Sequence, residues 1–196
     1  VKSKFIIGVD EAGRGPLAGP VSIGVVALPR TFNLMKHFPG LKDSKQLSLR
    51  RREELYAIIL QHARAGDLDF CFRFCGPGVI DSIGITRAVR RAIYRGVRAM
   101  APEPRGVHVL LDGLLYAPRE YSQETIIGGD ELEPIIALAS IVAKVRRDRL
   151  MRRLARRYPK YHLEEHKGYG TKSHYAAIQK YGLSDIHRHT YYHLTK

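Results

Sequence analysis

Cysteine is scarce in this chain: Cys71 and Cys75 stand four apart with no second pair. Neither a disulfide framework nor a four-cysteine zinc site can be built from them, so a reducing compartment is expected. Long apolar runs are missing too. No stretch approaches the roughly 18 residues that a membrane helix needs, and the opening Val1–Asp10 segment meets a carboxylate too early for a signal peptide. A soluble, cytoplasmic protein without a membrane partner is the expectation. Acidic side chains are the third shortage, since 19 Asp and Glu face 33 Lys and Arg, a formal net charge of +14 at pH 7. What remains is ordinary for a globular protein: 196 residues, 44% hydrophobic and 27% charged, enough for one domain with a real core and too apolar for a disordered chain.

The charge is unevenly spread. Residues 1–143 carry 19 basic and 15 acidic side chains, whereas residues 144–196 carry 14 and 4. Most of the excess lies in Lys144, Arg146, Arg147, Arg149, Arg152, Arg153, Arg156, Arg157 and Lys160. A solvated helix face is one reading of such a run. A polyanion surface is the stronger one, because the excess is arginine-rich and Tyr158, Tyr161, Tyr169, Tyr175, Tyr181, Tyr191 and Tyr192 follow or adjoin it. Guanidinium forks match phosphates, and tyrosine rings stack on sugars or bases.

Apolar periodicity predicts strands at Phe5–Val9, Val21–Leu28, Asp69–Phe74, Val107–Leu111 and Glu124–Ile127. Helices are predicted from a Ser48 cap to about Arg64, from an Asp81 cap to Met100, from Pro134 to Arg157, and from Ser173 to Tyr181. Strands come early and alternate with helices, so an α/β layered fold with a helical C-terminal extension is expected.

Asp10 with Glu11, Asp112, and Asp130 all follow strands. Any one of them simply marks a strand end. Brought together they would repel, and a stable cluster needs protonation, cations or a hard metal such as Mg²⁺ or Mn²⁺. The run Gly13-Arg14-Gly15-Pro16-Leu17-Ala18-Gly19 resembles a dinucleotide fingerprint, but its spacing is off by one and two carboxylates precede it. Its backbone N–H groups suit a phosphate or a sugar hydroxyl instead. Phosphate-binding Walker loops and serine nucleophile elbows are absent. His162 with His166, and His187 with His189, have no cysteine nearby, so surface or phosphate-contacting histidines are expected rather than zinc ligands.

Four blocks together resemble ribonuclease HII, the prokaryotic type 2 ribonuclease H: Gly8–Val21, Leu41–Leu47, Ala139–Arg149 and His166–Thr171. The resemblance runs from Gly8 to about Tyr192. It implies a ribonuclease H-like five-stranded mixed sheet flanked by helices, a single catalytic domain over 1–196, and a basic helical substrate-binding part over about 134–196. It also implies two-metal-ion catalysis with Asp10, Glu11, Asp112 and Asp130 as the catalytic and metal-binding carboxylates for Mg²⁺ or Mn²⁺, Asp10 being shared between the two ions. Gly13, Arg14, Gly15 and Tyr169 would read the ribose 2′-hydroxyl, Lys45 would steady a phosphate, and Lys144, Arg147 and Lys167 would add weaker backbone contacts. The implied enzyme is a monomeric endoribonuclease acting on RNA/DNA hybrids and on ribonucleotides embedded in duplex DNA. Two other readings stay open: a non-catalytic basic nucleic-acid binder, and a junction-type nuclease. The chain departs from the family pattern at Leu114, after Asp112-Gly113, and at Gly128, before Gly129-Asp130.

Overall fold

The computed structural model describes residues 4–41 and 47–192. Five strands form one mixed sheet: β1 (Phe5–Ala12), β2 (Val21–Pro29), β3 (Asp69–Cys75), β4 (Val107–Asp112) and β5 (Ser122–Ile126). Their order is β3-β2-β1-β4-β5, antiparallel across β1/β2 and β2/β3 and parallel across β1/β4 and β4/β5. The expected α/β layering and five-stranded mixed sheet are therefore present. Each strand lies where the apolar pattern put it, with ends shifted by a few residues. The shift at β1 matters, because Asp10 and Glu11 belong to the strand itself and inherit its alternation.

Alternation builds two cores. Ile7, Val9, Ile23 and Val25 face one way, onto α3 (Pro77–Ile83) and α4 (Ile85–Met100). The opposite face is covered by α2 (Leu49–Ala65) and α6 (Pro134–Arg157), whose Leu55, Ile59, Ile135, Leu138 and Val142 meet Val26 and Leu28. The α2 helix begins as its sequence dictates, with Ser48 Oγ accepting the Arg51 N–H at 3.2 Å, and ends on Gly66 in the left-handed conformation. Short helices α1 (Leu34–His37), α5 (Gly129–Leu132) and α7 (Leu163–His166) fill connections, and α8 (Lys172–Tyr181) lies near the C-terminus. No helix among the described residues is long and apolar enough to cross a membrane.

Two expectations need correction. Asp81 does not cap a helix reaching Met100. Gly84 divides that span into α3 and α4, and Asp81 sits inside α3, where its carboxylate accepts the His189 and Thr190 N–H groups at 2.9 and 3.1 Å. Asp130 does not end a strand either; it lies in the first turn of α5.

The close fit of α6 on the sheet comes from two missing side chains. A Cβ on Gly8 would lie 2.3 Å from the Ile135 carbonyl oxygen, and one on Gly24 only 2.1 Å from that of Ala139. Gly24 is the β2 partner of Asp10. The helix backbone therefore comes to rest beside Asp10. A third, smaller core joins the C-terminal helices to the loop after β1 through Leu17, Ala18, Met151, Tyr161, Leu163, Ile178 and Ile186.

Candidate active site

Adjacent parallel strands bring the first and third acidic positions together. Val9 pairs with Leu111, so Asp10 and Asp112 emerge one residue later at the same sheet end. Gly113 N–H bonds the Ile126 carbonyl at 2.9 Å, closing β4 against β5 there. Gly129 then lies against β4, where an added Cβ would be 3.4 Å from Asp112 Oδ1, so Asp130 is brought to the same place. Asp10, Glu11, Asp112 and Asp130 all line one cavity of about 390 Å³, shared with Gly13, Arg14, Gly15, Ser140, Lys144, Arg52 and Tyr169.

Asp10 and Glu11 are held under electrostatic stress. Asp10 is only 4% exposed. Burial, then the charges of Glu11 and Asp112, push its carboxyl well above the usual range, against hydrogen bonds from Ser140 and from the Glu11 N–H at 2.7 Å. Glu11 is also raised, chiefly by burial, although Arg14 at 3.6 Å pulls the other way. Glu11 Oε2 and Asp112 Oδ1 are buried and accept no hydrogen bond. Such oxygens are costly to leave bare. Hard oxygen donors of high negative charge, two with a buried bare oxygen, are the donor set that suits Mg²⁺ or Mn²⁺. The residues present fit a divalent metal.

Beside the carboxylates, the Gly13–Gly15 turn and Tyr169 form a second wall. Tyr169 is 44% exposed and bonds back through its N–H to the His166 carbonyl at 3.0 Å. The loop behind the turn is locked into the C-terminal part: Leu17 N–H bonds the Gly168 carbonyl at 2.8 Å and Gly19 N–H the Ile186 carbonyl at 2.8 Å.

This arrangement has counterparts. The family model for ribonuclease HII matches residues 7–194. A ribonuclease HII of Endomicrobium trichonymphae is 43% identical over 194 residues, covering 95% of this chain and 84% of that protein. One from Geobacillus thermodenitrificans is 44% identical over 191 residues, covering 95% and 68%.

The chain belongs to the ribonuclease HII family. The crystal structure of ribonuclease H2 from Pyrococcus horikoshii OT3 superposes with a TM-score of 0.77 at 25% identity, covering 95% of this chain and 93% of that one. The ribonuclease H-like sheet with a helical C-terminal region follows from both the topology and these relatives.

Within this ribonuclease HII framework, several residues sit differently from expectation. Arg147 cannot reach a phosphate: it is fully buried, and its guanidinium donates to the carbonyls of Pro20, Ala18 and Lys167 at 2.9, 3.2 and 3.0 Å. Lys144 does line the cavity, tethered to Asp148 at 2.9 Å. The Lys167 ammonium donates to the Glu164 carbonyl. Lys45 lies outside the described residues. Leu114 points to solvent at 77% exposure, so this departure from the family pattern does not intrude on the carboxylates.

The basic helix is also less free than its sequence suggests. Glu53 of α2 takes Arg149 at 2.5 Å and Arg152 at 2.8 Å, and Arg146 lies 3.8 Å over the Phe72 ring. Most of the tyrosines are structural. Tyr161 is buried with its hydroxyl on the Gly182 carbonyl, Tyr158 bonds Asp185, and Tyr175 stacks on Tyr192. His166 and His187 are not surface groups; with His174 they form a buried cluster.

Three cavity or support residues escaped the sequence reading: Ser140, Arg52 and Arg188. Ser140 carried a weak signal, a hydroxyl on the otherwise apolar inward stripe of α6. Arg52 and Arg188 carried none, since one looked like a solvated helix cation and the other sat in a histidine-rich tail.

Proposed function

We propose that this protein hydrolyses the RNA strand of RNA/DNA hybrids and incises 5′ to single ribonucleotides in duplex DNA, leaving 5′-phosphate and 3′-hydroxyl ends. Residues 1–196 act as one catalytic unit, monomeric, with about 134–196 facing the substrate. The observation that carries this reading is the meeting of Asp10, Glu11, Asp112 and Asp130 at one cavity, beside a glycine turn and an exposed tyrosine.

Asp10, Glu11, Asp112 and Asp130 would hold two Mg²⁺ or Mn²⁺ ions. When bound, such ions lower the pKa of water and stabilise charge on the leaving oxygen. The chain's own residues then do three things. Ser140 and the Glu11 N–H fix the Asp10 carboxylate in one orientation. Arg14 and Lys144 set cations at the rim, where a phosphodiester would arrive. The Gly13–Gly15 turn and Tyr169 take the sugar. A site built to bond a hydroxyl rejects the analogue lacking it, typically by about 10⁴-fold or more, so DNA is refused.

The test is a labelled DNA duplex carrying one ribonucleotide, incubated with Mg²⁺ or Mn²⁺, with excess chelator, and beside an all-DNA control. Cleavage at the ribonucleotide alone, and only with metal, is expected. Binding without turnover would support a basic binding protein, and cleavage of the all-DNA control a junction-type nuclease.

A further inference from the structure

Two arginines at the heart of the C-terminal part, Arg147 and Arg188, are fully buried, and among the described residues neither forms an ion pair. Burial lowers both, Arg147 to about 10. A buried cation without a carboxylate in direct contact is expensive, even with the charges of Asp148 and Asp81 nearby, so its hydrogen bonds must matter. Most of those bonds go to backbone carbonyls, and Arg188 also bonds the Tyr191 side chain. Arg188 Nη2 donates to Gly13 at 2.6 Å, Nη1 to Arg14 at 2.7 Å and Nε to Gly19 at 3.0 Å. Arg147 takes Pro20 and Ala18, and also Lys167, two residues before Tyr169. A Cβ on Gly13 would lie 1.9 Å from Arg147 Nε, so this guanidinium is pressed directly against the turn.

The bonds have a directional consequence. A trans peptide sets its C=O and N–H in opposite directions. With the Gly13 and Arg14 carbonyls drawn inward onto Arg188, the N–H groups of Arg14 and Gly15 point away from the guanidinium. The turn lines the cavity, so these donors are turned outward from the core.

His174, backed by His187, secures Tyr169 on the same wall as the turn. His174 Nδ1 lies 2.9 Å from the Tyr169 carbonyl, which can only accept, so Nδ1 carries the proton. His174 Nε2 must then accept from His187 Nε2 at 3.1 Å, and His187 Nδ1 accepts the Ser184 N–H at 3.0 Å. Both rings are neutral and their tautomers are fixed.

We propose that Arg147 and Arg188 are positioning residues, which orient the Gly13–Arg14–Gly15 turn against Tyr169 and thereby set the preference for ribose. The inference rests on the ribose-reading role given to the turn and Tyr169 above.

Arg188→Lys keeps the charge but cannot bridge three carbonyls as a planar fork does. Asp81→Ala is the gentler variant: it removes the hydrogen bonds that anchor the next two residues, at His189 N, Thr190 N and Thr190 Oγ1. The experiment measures kcat and KM on a single-ribonucleotide duplex, the preference for ribose over a 2′-fluoro sugar at the same position, and Mn²⁺ affinity, each per folded molecule. For Arg188→Lys we expect at least a tenfold fall in kcat and a matching narrowing of the ribose preference, with KM within threefold and Mn²⁺ affinity unchanged. Asp81→Ala should show roughly a threefold loss of the same kind.

Folded variants with unchanged kcat and preference overturn the proposal, as does loss of Mn²⁺ affinity, which would place the effect at the carboxylates. If Arg188→Lys does not fold, the Asp81→Ala result decides alone. Tyr169→Ala run in parallel separates the two levels. A normal preference in that variant sinks the ribose-reading role itself, whereas a loss there without one in Arg188→Lys and Asp81→Ala sinks only the clamp.

Discussion

At the residue scale, Asp10 concentrates the tension between stability and function. Its carboxyl is raised by burial and by two neighbouring carboxylates, so the metal-free fold bears a charge it does not want. Asp10→Asn should therefore abolish cleavage while stabilising the metal-free protein. Urea denaturation in chelator at pH 7 measures the second effect, and equal or lower stability would speak against it. Tyr169 separates ring from hydroxyl: Phe should retain much of the activity and Ala lose most, read as kcat/KM on a single-ribonucleotide duplex. Equal loss in both would assign the role to the hydroxyl.

The carboxylates were legible because strand ends leave a mark in sequence, an apolar run stopped by Asp and Gly. Arg188 was not, because its partners lie at Gly13, Arg14 and Gly19, at the other end of the chain. Arg147 was misread for a related reason. Nothing in a run of arginines says which one points inward, and only the bare carbonyls of Ala18 and Pro20 decide it.

At the scale of elements, the fit between α6 and the sheet governs the site. Gly24→Ala, at the strand partner of Asp10, would set a methyl 2.1 Å from a helix carbonyl. Overpacking of this kind typically costs about 1–3 kcal/mol, and here the helix carrying Ser140 must shift as well. We expect a lowered melting temperature together with reduced kcat; thermal melts and single-turnover cleavage check both. The bounds of α6 were readable from Pro134 and its apolar stripe, whereas its depth on the sheet was not, because closeness is set by absent side chains on other strands. Asp81 was misread because a helix cap and a helix-interior anchor look alike when the anchored segment is about a hundred residues away.

The buried His174–His187 pair makes a further expectation at this scale. Burial holds both at about 4, below the ordinary 6.5. Between those values the unfolded chain binds protons that the folded chain refuses, so this pair stabilises the fold fully above pH 6.5 and progressively less as pH falls toward 4. Asp10 and Glu11 act in the opposite sense, since their raised carboxyls favour the folded state on acidification. A comparison isolates the imidazoles: the stability advantage of wild type over His187→Gln should shrink between pH 7 and pH 4.5. A constant advantage would show that the imidazoles do not titrate this way.

At the scale of the whole molecule, a charge of +14 surrounds a cavity lined by four carboxylates. The positive field draws a polyanion in, while the cavity repels its phosphates until metal neutralises the acids. Binding of an RNA/DNA hybrid by Asp10→Asn should therefore weaken steeply with salt, each phosphate contact adding about 0.9 to the log–log slope. A flat dependence would remove the basic surface from substrate binding. The composition announced this field, but not how much of it is tied up internally, as in Arg147, Arg149 and Arg152.

The central claim is that residues from β1, β4 and α5 together form one divalent-cation centre. Mn²⁺ titration followed by electron paramagnetic resonance, on wild type and on Asp112→Asn, addresses it most directly. Saturable, chelator-reversible binding by the wild type, weakened at least tenfold in Asp112→Asn, is the expected result. Equal affinity in the two proteins would contradict it.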